Sequence, residues 1–371
     1  MTTMYIAASA SPWLAPMMQR LTAVDDVSLW APWANHGVTA HLPQLVQRYV
    51  PTRVAGFLAR RQLPNTLGRD SRVITDARWQ AVQALLRIWA LNSRARELRA
   101  GLYERRMLAA WTCDRLQRAP RRTAAVAGAA TRDEKIRATN SAGTIVAASL
   151  AAREPFALAR ARGMRTVLFL DVPHLATLHA DLDRAAQRWP ADYYLRHFRA
   201  PAWAIARQHA EFELADHIIV RGPYAARSIA TQTRRRLATI EVLPAPATGP
   251  LIEHSTAPDA PLLLAGPAAG RGGFAIAVEA AAQCGRSLLA RSSAATEPQY
   301  RATPGVTWLT ANAPQPSAVA AIVAPAVSEA YVQFQLGAGL SVVGSDKVTG
   351  VTHVAELTAN SLANVLGLTL G

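Results

Sequence analysis

Apolar residues along this chain follow two different periods, and the switches between them predict an α/β protein. Thr144-Ile-Val-Ala-Ala148 and Arg165-Thr-Val-Leu-Phe-Leu170 are apolar on both parities. A strand with one wet face alternates and a strand covered on both faces does not, so these two read as buried members of a parallel sheet. Arg153 to Arg162 between them has helical spacing. Met4–Ala8, Val27–Ala31, Asp216–Val220 and Thr239–Leu243 predict further strands, and Trp203 to Leu214 a helix. From Asp76 to about Arg118 the pattern is helical. Trp79, Val82, Leu85, Leu86 and Trp89 recur at three- and four-residue spacing, and Met107, Leu108, Trp111 and Leu116 continue it. This predicts two helices, divided near Asn92 or Gly101, with their apolar stripe packed on a sheet.

Pro244-Ala-Pro-Ala-Thr-Gly-Pro250 carries three prolines and a glycine in seven residues, which neither a helix nor a strand continues. A boundary at about residue 247 follows, with domains 1–247 and 248–371. The alternation then resumes. Leu262–Ala265, Ser287–Ala290, Val306–Leu309, Val319–Val323 and Leu340–Val343 predict strands, and Phe274–Cys284 a helix. Strand–helix alternation on both sides of the break predicts two Rossmann-like domains.

Composition supports this organisation and adds an asymmetry. The chain has 371 residues, of which 50% are hydrophobic, enough for two cores. Residues 1–240 carry 35 Lys+Arg against 17 Asp+Glu, a balance of +18; residues 241–371 carry 5 against 8, a balance of −3. All the basic residues but Lys135 and Lys347 are arginine. Two readings stand side by side: a general arginine preference on solvated helix faces, or contact of the first domain with something anionic. Met1 to Arg20 lacks a basic start and a long apolar core, and Pro12 and Pro16 interrupt it, so no secretory leader is expected. The charge-free stretch Ala302 to Ser328 holds four prolines and is not a membrane span. Cys113 and Cys284 stand far apart with no CxxC or CxxH neighbourhood, which fits a reducing cytoplasm and neither a disulfide framework nor a zinc site.

Several motif classes are excluded. No Gly-Lys-Ser/Thr follows a glycine loop, and there is no GxSxG elbow and no HExxH. Gly270-x-Gly272-x-x-Ala275 fits a dinucleotide pattern only weakly, because the one acid about twenty residues on is Glu297, in a loop. Arg121-Arg122 and Arg234-Arg235-Arg236 are candidate phosphate contacts, yet no recognised nucleic-acid reader accompanies them, and no nucleic-acid partner is expected. Asp181 and Asp183, two apart, do not share a helix face.

Pro261-Leu-Leu-Leu-Ala-Gly266-Pro-Ala-Ala-Gly270-Arg271-Gly272-Gly273 is an apolar run that breaks into glycines ahead of a helix. Free N–H groups and the helix dipole make such a junction an anion site. Ala320-Ile-Val-Ala-Pro325, Ser328-Glu329 and Gly339-Leu-Ser-Val-Val343-Gly-Ser-Asp346 follow. This succession resembles the donor-binding half of retaining, family 4 glycosyltransferases of the GT-B fold. Leu170-Asp-Val-Pro-His174 and Glu211-Phe-Glu-Leu-Ala-Asp216-His-Ile-Ile-Val-Arg221 are similar to the late N-terminal domain of that family.

The resemblance implies a GT-B-like fold, two Rossmann-like domains facing across a cleft. It implies transfer of a sugar from a nucleotide-sugar donor to a lipid-linked or polysaccharide acceptor, with the basic domain on the acceptor side. Gly266, Gly270, Arg271, Gly272 and Gly273 would hold the diphosphate, and His174 and Glu329 would be catalytic. His179 competes with His174. Glu329 is either the retained acid or a helix-opening residue after Ser328, a good N-cap. The donor is a substrate, and neither a cofactor nor a metal is implied. The place implied is cytoplasmic and peripheral at the inner face of the membrane. Pro267 stands where the family carries its first basic residue, and Gly272-Gly273 where it carries Lys-Gly. An alternative therefore remains: a catalytically inactive glycosyltransferase-like protein acting as a binding or assembly subunit in a protein complex.

Overall fold

The computed structural model describes residues 3–7, 26–30, 72–74, 94–118, 143–170, 173–188, 190, 195–196, 199–233, 240–243, 253–268, 273–292, 298–309, 318–324, 342–344, 352–353, 360–361 and 363–364. The chain divides into two compact units, one of Met1–Leu170, Ala200–Ile219 and Ala238–Glu241, the other of Asp171–Arg199, Val220–Leu237 and Val242–Gly371. The expected break at about residue 247 lies outside the described residues.

The first sheet contains β1 (Thr3–Ala7), β2 (Asp26–Trp30), β3 (Arg72–Ile74), β4 (Thr144–Ala148), β5 (Arg165–Leu170), β6 (His217–Val220) and β7 (Ile240–Val242). Among the described residues its order is β3-β2-β1-β4-β5-β6-β7. The pairs β2–β3, β1–β2, β1–β4 and β4–β5 are all parallel. Four of the five residues of β4 and five of the six of β5 are buried, as their continuous apolar character predicts. The three-residue strand β3 was not expected, since Arg-Val-Ile is too short to show a period.

Among the described residues the helices that alternate with these strands along the chain are α1 (Arg94–Arg118), α2 (Arg153–Ala161), α3 (Leu175–Arg188), α4 (Ala202–Leu214) and α5 (Pro223–Gln232); α3 and α5 fall in the second compact unit. The stripe Leu102, Leu108, Trp111 and Leu116 of α1 is buried. The helix runs unbroken through Gly101, which corrects the expected division there. A mid-helix glycine costs about 1 kcal/mol, and burial of a single Leu or Trp returns more. Asn92 lies outside the described residues. Arg221-Gly-Pro-Tyr reads as a polar turn but opens α5, with Pro223 in its first turn, where its fixed φ suits the helix and its missing N–H costs nothing.

The second sheet has the order β11-β10-β9-β13-β14-β15 among the described residues. Its strands are β9 (Leu262–Pro267), β10 (Leu288–Arg291), β11 (Val306–Leu309), β13 (Ala321–Ala324), β14 (Val342–Gly344) and β15 (Thr352–His353). A short separate pair joins β8 (Glu253–His254) to β12 (Ala318–Val319). All pairs in the second sheet are parallel. Helix α6 (Phe274–Gln283) packs Phe274, Ile276, Ala277, Ala280 and Ala281 against Leu262, Leu264, Leu288 and Val323. It stops at Gly285, whose φ of 65° only glycine adopts cheaply. There the Gly285 and Arg286 N–H groups return to the carbonyls of Ala282 and Ala281 at 3.1 and 3.0 Å. Phe274 also meets Tyr300 and Trp308, with ring centroids 4.9 and 5.5 Å away.

Both sheets therefore repeat one plan. Counting strands within each sheet, each runs 3-2-1-4-5-6 before the first adds a seventh. That is the doubly wound dinucleotide-fold order, and the chain is an α/β protein on two parallel sheets.

A Cβ added at Gly101 meets nothing within 4 Å. Gly101→Ala should stabilise α1 by about 0.5–1 kcal/mol, read as slower amide hydrogen exchange across residues 94–118.

Candidate functional site

In a doubly wound sheet the connections leave the first and fourth strands in opposite directions, which opens a crevice at their carboxyl ends. In the second sheet those strands are β9 and β13, hydrogen-bonded neighbours with Leu264 opposite Val323. Gly266 and Pro267 end β9, and Ala324 ends β13. The glycine loop leaves from the first and the Glu329 segment from the second. Two widely separated stretches, Gly266–Gly273 and the residues after Ala324, thus depart from the same end of adjacent strands.

Gly273 closes the loop in the left-handed region at φ 73° and forms the N-cap of α6 without a side-chain cap. Any other residue would pay about 1–2 kcal/mol there. Its carbonyl accepts the first helical bond from the Ala277 N–H at 3.0 Å. The first N–H groups of α6 point out of the helix with the positive end of its dipole, as an anion requires. Of the residues expected at this site, Gly266 lies near the end of β9 and Gly273 at the N-cap of α6. Gly270, Arg271, Gly272 and Glu329 lie outside the described residues.

His174 sits at the start of α3 with no exposed surface. Its Nδ1 accepts the Ala176 N–H at 3.1 Å, and its own N–H donates to Ser228 Oγ at 2.9 Å. The imidazole is thus an N-cap for α3, and its neutral form carries the proton on Nε2. His179, one turn on, is half-buried; burial and Arg199 push its pKa down, against the pull of Asp183. Asp181 and Asp183 go to different partners, as their spacing implies. Asp181 binds Arg184 and accepts the Tyr224 hydroxyl, while Asp183 takes Arg199 at 2.5 Å.

In the first sheet the crossover after the fourth strand, from β4 into α2, is already filled, while the crossover after its first strand, the counterpart of the β9–α6 loop, lies outside the described residues. Glu211 on α4 is fully buried. Its Oε2 accepts the Leu150 N–H at 2.7 Å, and its Oε1 those of Ala152 and Arg153 at 2.9 and 3.2 Å. Ser149 Oγ adds a contact at 3.3 Å. One turn earlier, Arg207 holds the Leu150 carbonyl through Nε at 2.8 Å and grips Glu154 with both terminal nitrogens, Nη1 at 2.7 Å. Leu150, clamped on both sides, keeps a φ of 70°, a conformation that costs a leucine about 1–3 kcal/mol. The chain's own carboxylate thus occupies the amides at the start of α2, whereas the start of α6 has no such internal anion among the described residues.

This clamp explains part of the Glu211-to-Asp216 motif that sequence reading tied to a family rather than to a task. Asp216 does the rest. Its Oδ2 accepts the Thr166 N–H and hydroxyl at 2.9 and 3.0 Å, tying the exit of α4 to the first turn of β5. Burial pushes the Glu211 carboxyl up, against the Leu150 and Ala152 N–H groups and Arg207. For Glu154, burial pushes up as well, but the Arg207 hydrogen bonds hold it below the ordinary carboxylate value. Burial raises the Cys113 thiol to about 11, so it is protonated at neutral pH and unsuited to nucleophilic work.

No protein-family model matches the chain, and no curated protein matches it in sequence. Solved structures do. Arabidopsis thaliana UGT89C1 complexed with UDP-L-rhamnose is 13% identical over 99% of this chain and 89% of that one, with a TM-score of 0.48. Anabaena Alr3699/HepE in complex with UDP-glucose is 12% identical over 99% and 88%, with a TM-score of 0.49. CalG4, the calicheamicin glycosyltransferase, is 12% identical over 100% and 90%, with a TM-score of 0.43. Likenesses this distant carry no argument about donor, acceptor or chemistry.

Glu211→Ala should destabilise the first unit by about 3–5 kcal/mol, the scale for breaking a buried charge pair. Faster hydrogen exchange at residues 149–153 checks this, and Glu211→Gln should behave similarly, because an amide NH₂ cannot accept an N–H. Glu154 has a lowered folded pKa, so its contribution is present above the ordinary value of 4.5 and is lost as pH falls through the lowered one. Glu154→Gln should flatten the acid limb of a pH-unfolding curve.

Proposed function

We propose that the protein transfers a sugar from a nucleotide-sugar donor to a lipid-linked or polysaccharide acceptor, with retention, and that the donor sits at the switch point of the second sheet. The observation that carries this reading is the adjacency of β9 and β13. The glycine loop follows the end of β9, the chain toward Glu329 follows the end of β13, and the loop runs into a helix N-terminus without a side-chain cap. In this reading Gly266, Gly270, Gly272 and Gly273 let the backbone approach the diphosphate. Arg271 is its side-chain cation, and Glu329 meets the sugar. His174 lies on the donor-sugar side.

The chemistry asks mainly for charge stabilisation of the departing diphosphate and for positioning of the acceptor. Amides fixed before the reaction supply the first without reorganisation, and binding both substrates in one crevice supplies the second. No cofactor enters; the nucleotide sugar is itself a substrate. The acceptor belongs with the basic first domain, in peripheral contact with the inner face of the membrane, which places the protein in the cytoplasm. No helix among the described residues is long and apolar enough to cross a membrane.

A second reading rests on Pro267 and on Gly272-Gly273, which stand where the resembled family has cations. A diphosphate held by one arginine is less fully neutralised than one held by two cations. On this reading the protein keeps the fold as a binding or assembly subunit.

Calorimetric titration with uridine and guanosine diphosphates and their sugars separates the two. Arg271→Ala should weaken donor binding by about 1.5–3 kcal/mol, the scale of a charge-assisted bond. Glu329→Gln should lower turnover more than affinity if the carboxylate acts in the transition state. His174→Ala should lower turnover too. His174→Asn keeps an acceptor for the Ala176 N–H, so recovery of activity in that variant would assign the histidine to capping alone. Wild-type protein that binds no nucleotide at millimolar concentration favours the assembly subunit.

A further inference from the structure

Helix α1 carries seven arginines against three acids, and it presents them unevenly. Arg99, Tyr103, Arg106 and Ala110, spaced four, three and four apart, are its exposed stripe, opposite the buried Leu102, Leu108 and Leu116. Tyr103 is 55% exposed. The start of α4 lies beside this stripe, because the Arg106 guanidinium stands 5.5 Å over the Trp203 ring. Trp203 is itself 43% exposed, and Pro201, Ala202 and Ala206 around it are exposed as well.

Tyr103 and Trp203 are the large aromatic side chains that stand exposed among the described residues, and two acids near them in sequence are withdrawn from the surface. Glu104 is buried on α1, and Glu211 is buried in the clamp on α4. Glu213, the exposed acid of α4, lies ten residues from Trp203, about 15 Å along the helix. Asp114 is paired with Arg118 at 2.8 Å. What the described residues show here is an exposed tyrosine and an exposed tryptophan, each with a polar tip, beside Arg99 and Arg106, for which no acidic partner occurs among the described residues.

We propose that this α1–α4 face is where the protein docks on an anionic lipid surface. Trp203 and Tyr103 enter at headgroup depth, where an amphipathic ring is best accommodated. Arg99 and Arg106 face the lipid phosphates, and the cation over the Trp203 ring keeps that ring turned outward. The +18 balance of residues 1–240 supplies the longer-range attraction. This deepens the membrane contact named above and is independent of the donor site.

Full-length protein is sedimented with phosphatidylcholine vesicles, with and without phosphatidylglycerol. Wild type should bind the anionic vesicles and be released in about 1 M salt, where screening acts within about 3 Å. Arg99→Gln and Arg106→Gln should each weaken binding about fivefold, and Trp203→Ala and Tyr103→Ala should weaken it as well. Arg227→Gln and Arg301→Gln remove the same charge elsewhere and should leave binding unchanged. Equal loss in these two controls would overturn the proposal in favour of net charge alone. So would vesicle binding indifferent to all four face variants, or a dimer in solution that Trp203→Ala dissolves while vesicle binding persists. Nucleotide titration of the same preparations keeps the readings apart. Protein that binds no nucleotide yet shows the face-specific vesicle pattern loses the donor reading and keeps this one.

Discussion

Glu211 has no exposed surface, and on it converge the end of one strand, the start of one helix and an arginine one turn away. A parallel sheet needs a long connection after every strand, and each connection brings backbone N–H groups into the interior, where they must be paired. Between β4 and α2 the Ala151 N–H reaches the Ala148 carbonyl at 3.1 Å, but the N–H groups of Leu150, Ala152 and Arg153 need another partner. The Glu211 carboxylate is that partner. Arg207 then satisfies the outward carbonyl of Leu150. Remove the carboxylate and three donors, one cation and a left-handed leucine all lose their reason to stay. The knot ties α4 to the start of α2 and to the exit of β4.

The same clamp fills one side of the switch point in the first sheet, the crossover after its fourth strand. Each sheet reverses direction beside its first strand, and each could receive a ligand there. In the first, the crossover after β4 is closed by an internal anion. In the second, β9 runs into glycines and α6 begins on Gly273, with nothing on its own side chains to cap it. Helix dipole and free amides act over a few ångströms and are consumed by whichever anion arrives first. The start of α2 is therefore taken by the chain's own carboxylate, and the start of α6 has no such internal anion among the described residues.

Much of the architecture was legible because burial on both faces leaves an unmistakable mark. Ile145, Val146 and Val167 to Leu170 announce their strands without any partner in view. Gly285 announces the end of α6, since a left-handed residue is cheap only for glycine. Short strands such as Arg72–Ile74 and Glu253–His254 were not legible, because their pairing is set by distant neighbours rather than by a period. The Gly101 division failed for the opposite reason: local propensity was outweighed by tertiary burial of the flanking apolar stripe. At the site, the glycines were legible as loop chemistry. The task of Glu211 was not, since a lone glutamate in a helix is indistinguishable from a solvated one until the turn it faces is known. His174 shows the limit from the other side, because the histidine that motif reading singled out is also a buried helix cap.

The charge asymmetry fits a division of labour by range. A diphosphate is small and is gripped at hydrogen-bond distance, so its affinity depends on a few oriented amides and one or two cations. The balance of −3 over residues 241–371 does not forbid it. A charged surface larger than the protein acts differently. Its field reaches about a Debye length, 8–10 Å at physiological ionic strength, and sums over every exposed cation within that layer. Arginines spread through residues 1–240 are inefficient for holding one ligand and efficient for meeting such a field. The basic half is therefore suited to an extended anionic partner and the neutral half to a compact one, without either property requiring the other.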